Sequence, residues 1–438
     1  MPRYVKRPNG ISDESRREVV RTVSEILGAV EHEGIDAVRR FSARFDGWSP
    51  PEFRVGSDEI DRATTSIPDE LKAHIAFTQE QVRNFAELQR STLVDAEWET
   101  LPGVTLGQRF IPVESVGAYS PGGLYPLIAS SIMTVAVPRV AGVGRIVGCA
   151  PPRDAGGMHP PQLYAMATSG ADEIFCIGGV QAFAAMAFGI EGLEPVDMLV
   201  GAGNAYVAEA KRQLFGTVGI DLLAGPTEVM VLADDSADPE VVAADLLGQA
   251  EHGPTSPATL LTTSPELAEA VARAVEHWLE GEWPTTEVAG VAWRDHGTIV
   301  VCEDEEEAAS VADDMAPEHL EIHTGDPDWY LKRLGSYGTL FLGTHATVAY
   351  SDKAVGTNHI LPTRRAARYT GGLWVGKFLK TVTYQRLTPE GSARVAPTAA
   401  AISDAELMFG HALTARLRLD PVRFPDAMHA IPPEGVGS

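Results

Sequence analysis

The sequence predicts an α/β protein built on two parallel β-sheets, with helical segments before and after them. Three observations carry this. Short β-branched runs alternate with helical stretches through the middle of the chain, the first ninety residues show helical periodicity alone, and 438 residues exceed one ordinary domain of roughly 100–200 residues.

From Ser12 to about Leu93 the apolar positions recur every three or four residues. "SRREVVRTVSEILGAVEHEGIDAVRRFSARF" and "DELKAHIAFTQEQVRNFAELQR" both follow this rule and predict an outer helical layer without obvious chemistry. The pattern then changes to paired runs: "RIVGCA" with "PPQLYAMATSG", "EIFCIGG" with "VQAFAAMAFG", "DMLVGAG" with "NAYVAEAKRQLFG", and then "GIDLLAG". Strand–helix–strand repetition at this interval implies right-handed βαβ units. A second series follows, with "EVMVLAD", a helix over 239–252, "ATLLTTS", a helix over 266–280, "TIVVCED", a helix over 304–314, "HLEIHT" and "GTLFLG". After Gly343 the chain reads as loop, and "SDAELMFGHALTARLRL" predicts one closing helix that opens on Ser403.

Composition narrows the function. Thirty-five basic against sixty acidic residues give a formal net charge of −25. That balance argues against nucleic-acid or anionic-membrane partners and favours a small-molecule substrate, so an anionic ligand needs a local basic pocket. Cys149, Cys176 and Cys302 lie far apart in apolar runs and read as buried, unpaired thiols of a reducing compartment. No signal-peptide core and no run of about 18 apolar residues occurs, so a cytoplasmic location is expected.

Four polar constellations can carry chemistry. Gln249 and His252 stand three apart at the end of a helix, where Gly253 and Pro254 break it. Residues at i and i+3 share a face, so a metal-binding face and a plain polar helix end both fit. Such a helix end is expected at a sheet edge, where α/β enzymes keep their sites. "APEHLEIHT" sets Glu318 beside His319 ahead of a strand, either as an acid–base pair or as a solvated loop. Asp352 and His359 flank a glycine turn and offer zinc ligands or a base with its orienter, while Glu406 and His411 sit five apart in the last helix and so do not share one face well; chance accounts for either pair alone. "GAGN" at 201–204 opens a helix after a β-like run, but Tyr206 stands where a dinucleotide fingerprint has its third glycine.

Taken together, "VGAYSPGG", "GGVQAFAAMAFG", "GAGNAYVAEAKRQ", "LLAGPTEVMVLAD", "LLGQAEHGP", "APEHLEI" and "GTNHILPT", with the Glu406/His411 segment, resemble the histidinol dehydrogenase family over nearly the whole chain. The resemblance implies two Rossmann-like domains: an N-terminal arm at 1–17, one α/β domain from 18–118 plus 227–373, a second from 119–226, and a helical segment at 374–438 exchanged across a homodimer. It implies one zinc ion held by Gln249, His252, Asp352 and His411, acid–base residues Glu318 and His319, substrate contacts from Thr227, His359 and Glu406 beside the zinc ligands and His319, and NAD contacts from Tyr119, Gln181 and Asn204. Such enzymes oxidise a primary alcohol to a carboxylate with two NAD. Thr227 replaces the usual serine.

The loops depart from the biosynthetic pattern. Lys353 follows Asp352 where an aromatic is usual, and Arg364, Arg365, Arg368 and Lys377 crowd the next 25 residues of an acidic chain. These residues either solvate a loop or form an anion pocket. Cationic histidinol gains nothing from such a pocket. The pattern is similar to the sulfopropanediol 3-dehydrogenase-like branch, which implies 2,3-dihydroxypropane-1-sulfonate as substrate, with L-histidinol as the alternative. Two further classes stand beside these: an inactive zinc-binding assembly subunit, and an aldehyde dehydrogenase using a cysteine nucleophile.

Overall fold

The computed structural model describes residues 2–9, 13–281, 283–420 and 422–424. They form two compact units, one from Met1–Arg90 with Val113–Phe378 and one from Ser91–Pro112 with the chain from Leu379.

The first unit carries two sheets. One has six strands in the spatial order Arg3–Lys6, Thr298–Val301, Ala258–Thr262, Val229–Ala233, His319–His323 and Thr339–Leu342. All pairings are parallel except that of the edge strand Arg3–Lys6. The other has five parallel strands in the order Glu173–Cys176, Arg145–Ala150, Ser115–Tyr119, Met198–Val200 and Gly219–Ile220. Leaving the antiparallel edge aside, both sheets wind outward in two directions from their first parallel strand, as in the Rossmann order, and each has a topological switch point beside it. The α/β expectation therefore holds for both series of strands.

Strands covered on both faces must be apolar on both. In the six-stranded sheet Val229, Val231 and Ala233 pack under the helices Pro239–Ala250, Pro265–Gly281 and Thr286–His296, while Met230, Leu232, Leu320 and Ile322 face the helix Glu305–Met315. The N-terminal helices Asp13–Glu33 and Ile35–Asp46 bury Val23, Ile26, Val30, Val38 and Phe41 in the core of the five-stranded sheet. Ser115–Tyr119 is that sheet's central strand, so position 118, expected as a domain end, falls inside a strand.

The second unit holds an antiparallel sheet in the order Leu379–Leu387, Val104–Pro112 and Ala96–Leu101, followed by the helices Pro389–Ala405 and Phe409–Leu417. The sequence reading missed these strands, and the single closing helix is two. Leu407 takes φ 61° between them, a left-handed turn that ends one helix before the next begins. Among the described residues no helix is long and apolar enough to cross a membrane.

Candidate functional site

Three segments of the first unit bring the expected groups together. The helix Pro239–Ala250 starts on an Asp238 cap, buries Val242, Leu246 and Leu247, and carries Gln249 in its last turn. The chain leaves the helix there, and the His252 amide donates to the Gln249 carbonyl at 3.2 Å. Glu318 precedes the strand His319–His323, where Thr339 N and Gly338 hold the backbone close: a Cβ on Gly338 would sit 2.4 Å from the Glu318 carbonyl oxygen. Only glycine fits that approach. The short helix Val348–Lys353 delivers Asp352.

These segments meet at the amino-terminal edge of the six-stranded sheet. Thr227 and Glu228 precede one strand and Glu318 precedes its neighbour, with His319 and Val229 in register. The site lies at a sheet edge, as expected, but at the amino ends of the strands, whereas an ordinary α/β site lies at the carboxyl ends. Periodicity locates a strand but not which of its ends is used.

Asp352 is the centre of the cluster and is 5% exposed. Its Oδ1 lies 4.0 Å from His319 Nε2 and 4.0 Å from His359 Nδ1, and its Oδ2 lies 4.0 Å from His252 Nε2 and 3.4 Å from Lys353 Nζ. Burial pushes this carboxyl up, but His359, Lys353, His319 and His252 together outweigh it and hold it below the ordinary range. Burial lowers all three imidazoles, His359 to about 4, so they are neutral donors of a lone pair at neutral pH.

Hydrogen bonds assign the tautomers and the free atoms. His319 Nδ1 donates to the Glu228 carbonyl at 2.9 Å, which leaves Nε2 as the acceptor. His359 Nε2 meets Ser130 Oγ at 2.7 Å. The Gln249 amide nitrogen donates to Thr227 Oγ1 at 2.5 Å, and Thr227 in turn donates to Glu318 Oε2 at 2.5 Å. Glu228 N gives Glu318 Oε2 a second hydrogen bond at 2.8 Å. Burial nevertheless raises Glu318 well above the ordinary carboxylate range, the hydrogen bonds from Thr227 and Glu228 opposing it only in part.

The donor set fits a cation. Asp352 Oδ1 and His319 Nε2 are buried without hydrogen-bond partners, and the Gln249 amide is turned so that its oxygen is the atom left free. Gln249, His252, Asp352, Glu318, His319, Thr227 and His359 are thus gathered in one place. Thr227, expected against substrate, is already engaged between Gln249 and Glu318. Glu406 caps the helix Pro389–Ala405 and His411 lies in Phe409–Leu417, both exposed and both in the second unit.

Tyr119 ends one strand of the five-stranded sheet, Asn204 follows the neighbouring strand and Gln181 follows the strand two places away on the other side, all at the carboxyl edge. Tyr119 OH accepts from Gly179 N at 3.0 Å, Gln181 Nε2 donates to Asp46 at 2.9 Å, and Asn204 Oδ1 caps its helix through Tyr206 N and Val207 N. Gly201, at φ 131°, lies where a Cβ would be 2.3 Å from the Tyr119 carbonyl oxygen. This is the switch point, the crevice where doubly wound sheets bind nucleotides. "GAGN" borders that crevice, but it follows the fourth strand of the sheet, whereas a dinucleotide fingerprint follows the first, and Tyr206 stands at its third glycine position.

Sequence reasoning missed Glu228, whose backbone orients His319, and the buried Lys211, which pairs with Asp221 and donates to the Gly201 carbonyl at 2.8 Å. Lys211 had one legible signal, since it shares the apolar stripe of Val207, Ala210 and Leu214. Of the basic cluster, Lys353 reaches Asp352, Lys377 donates to Thr370 at 2.8 Å, and the Arg364 amide donates to Glu228 at 3.1 Å.

The model of the histidinol dehydrogenase family matches residues 11–419. The chain is 53% identical to a histidinol dehydrogenase homolog of Shouchella clausii, over 96% of this chain and 99% of that one. It is 47% identical to the sulfopropanediol 3-dehydrogenase of Ruegeria pomeroyi, over 97% of each. Among solved structures, the histidinol dehydrogenase of Elizabethkingia anophelis superposes with TM-score 0.87 at 33% identity, covering 95% of each chain.

Proposed function

Because the chain belongs to the histidinol dehydrogenase family of oxidoreductases, we propose that it is a zinc- and NAD-dependent dehydrogenase that oxidises 2,3-dihydroxypropane-1-sulfonate through its aldehyde to sulfolactate. The observation that carries this is the Asp352 carboxylate ringed by His252, His319 and His359, with Asp352 Oδ1 and His319 Nε2 unpartnered. Gln249, His252 and Asp352, completed by His411 of a second copy, would hold the zinc.

When bound, zinc supplies a Lewis acid for the substrate oxygen and NAD supplies the hydride acceptor. His319 Nε2 accepts the hydroxyl proton, and its Nδ1–H stays on Glu228 so that the acceptor remains aimed into the site. Glu318, made more basic than an ordinary carboxylate by burial, takes the proton of the water that adds to the aldehyde carbon. The sum is alcohol, water and two NAD giving carboxylate, two NADH and the released protons. Tyr119, Gln181 and Asn204 position the dinucleotide.

Lys353 supports the sulfonate. Its ammonium donates to Asp352 Oδ2 at 3.4 Å and its side chain is half exposed, so it can also meet an anionic substrate group, whereas it repels the ammonium of histidinol. L-Histidinol is the second reading, and Glu406 is the feature that favours it. Leu407, Phe409 and Leu413 expose apolar surface on the segment bearing Glu406 and His411, which supports a homodimer in which that segment completes the neighbour's site. The buried free cysteines support a cytoplasmic location. The test is turnover: NAD reduction by the zinc-loaded protein with each substrate in turn.

A further inference from the structure

A second polar cluster lies under the same helix as the candidate site, further along the strand. Alternate residues of a strand point to one face, so His319, Glu321 and His323 line up beneath the helix Pro239–Ala250. On that helix Asp245 and Gln249 are four apart and share a face. Gln249 meets His319 at one end, and Asp245 meets Glu321 and His323 at the other.

The second group is built like a set of ligands. His323 Nε2 lies 3.7 Å from Asp245 Oδ2 and 3.6 Å from Glu321 Oε2, and the three donor atoms fall within 4.8 Å of one another. Ligands about 2.0–2.2 Å from a tetrahedral ion stand roughly 3.4 Å apart, which the two observed separations approach. Glu321 and His323 are 0% and 1% exposed, yet Glu321 Oε2 and both His323 ring nitrogens have no hydrogen-bond partner. The outward oxygens are held instead: Thr347 Oγ1 donates to Asp245 Oδ1 at 2.9 Å and Val348 N donates to Glu321 Oε1 at 2.9 Å. Each carboxylate is thereby turned so that its other oxygen faces the cluster, as supporting hydrogen bonds do for metal ligands. Glu321 and His323 also lie on a strand that borders the switch point of the six-stranded sheet, with His323 at the carboxyl end of that strand.

We propose that Asp245, Glu321 and His323 form a second divalent-cation site, separate from the groups around Asp352. Two carboxylate oxygens and one imidazole nitrogen suit a transition-metal ion such as Zn2+ or Mn2+ rather than Mg2+ or Ca2+. The ion positions rather than reacts. Thr347 and Val348 open the helix that delivers Asp352, so a cation bridging Asp245 and Glu321 braces the start of that helix.

The experiment uses full-length protein stripped by chelator and dialysed against MnCl2 or ZnCl2, with metal per chain measured by mass spectrometry. Glu321→Gln and His323→Gln are each expected to bind one ion per chain fewer than the parent, and His252→Ala is expected to retain the ion that they lose. Content unchanged in both Glu321→Gln and His323→Gln overturns the proposal, whatever His252→Ala does. Should those variants not fold, parent crystals soaked in MnCl2 decide. An anomalous peak among Asp245, Glu321 and His323 supports the site, and a peak only beside Asp352, or none, overturns it.

Discussion

The ring nitrogen Nδ1 of His319 lies 2.9 Å from the carbonyl oxygen of Glu228, a backbone atom one residue before the adjoining strand begins. A backbone acceptor cannot be lost by side-chain rotation, so Nε2 stays the unprotonated ring nitrogen, the atom proposed to take the substrate proton. Replacing His319 with Asn removes that acceptor. Alcohol oxidation should fall on the order of 10²- to 10⁴-fold in kcat, the range of a general base, with little change in KM. Steady-state kinetics check this, and a loss confined to KM would assign His319 to binding.

In the proposed mechanism Glu318 serves the other half of the reaction. Glu318→Gln retains the size and the acceptor oxygen but not the basicity, so aldehyde oxidation should slow more than alcohol oxidation. Single-turnover measurement of the two NADH increments separates the steps. Equal slowing of both would remove the division between Glu318 and His319.

Lys353 should set preference among substrates. A hydrogen bond to a charged group contributes about 1.5–3 kcal/mol, equivalent to a tenfold or larger change in affinity. Lys353→Met should therefore raise KM for the sulfonated diol at least tenfold and leave KM for histidinol unchanged or lower. An unchanged KM for the sulfonate would exclude Lys353 from the anion contact.

Asp46 gives a pH signature away from the reacting groups. Burial pushes its carboxyl up to about 6, only partly offset by the hydrogen bond from Gln181. An unfolded aspartate titrates near about 3.9. Between those values the folded chain binds more protons than the unfolded one, so this residue lowers stability as pH rises through that window, and the loss stays constant above it. Asp46→Asn should melt higher than the parent at pH 8 and at the same temperature at pH 4. Scanning calorimetry reads the difference, and one that does not vary with pH would contradict the assignment.

The fold was legible where burial imposes a period. Strands such as "EVMVLAD" and "TIVVCED" are apolar on both faces because helices cover both, and they were read correctly. The strands Ala96–Leu101 and Leu379–Leu387 were not, since most of their residues are exposed and polar ones such as Glu97, Glu99, Lys380 and Gln385 hide the pattern. The helix break at Leu407 is a backbone event at a residue with no turn signal. The polar pairs of the site looked ordinary one at a time. It was their co-occurrence that singled them out, because Gln249, Glu318 and Asp352 converge only through the strand register of His319 with Val229. Glu228 stayed invisible because its contribution to His319 comes from a carbonyl that every residue has.

The most direct measurement is NADH formed per molecule of alcohol consumed, by zinc-loaded protein given 2,3-dihydroxypropane-1-sulfonate or L-histidinol in parallel. Two NADH are expected per sulfonated diol, abolished by Asp352→Asn, with histidinol turned over far more slowly. Faster turnover of histidinol, a yield of one NADH, or full activity in Asp352→Asn would contradict the proposed function.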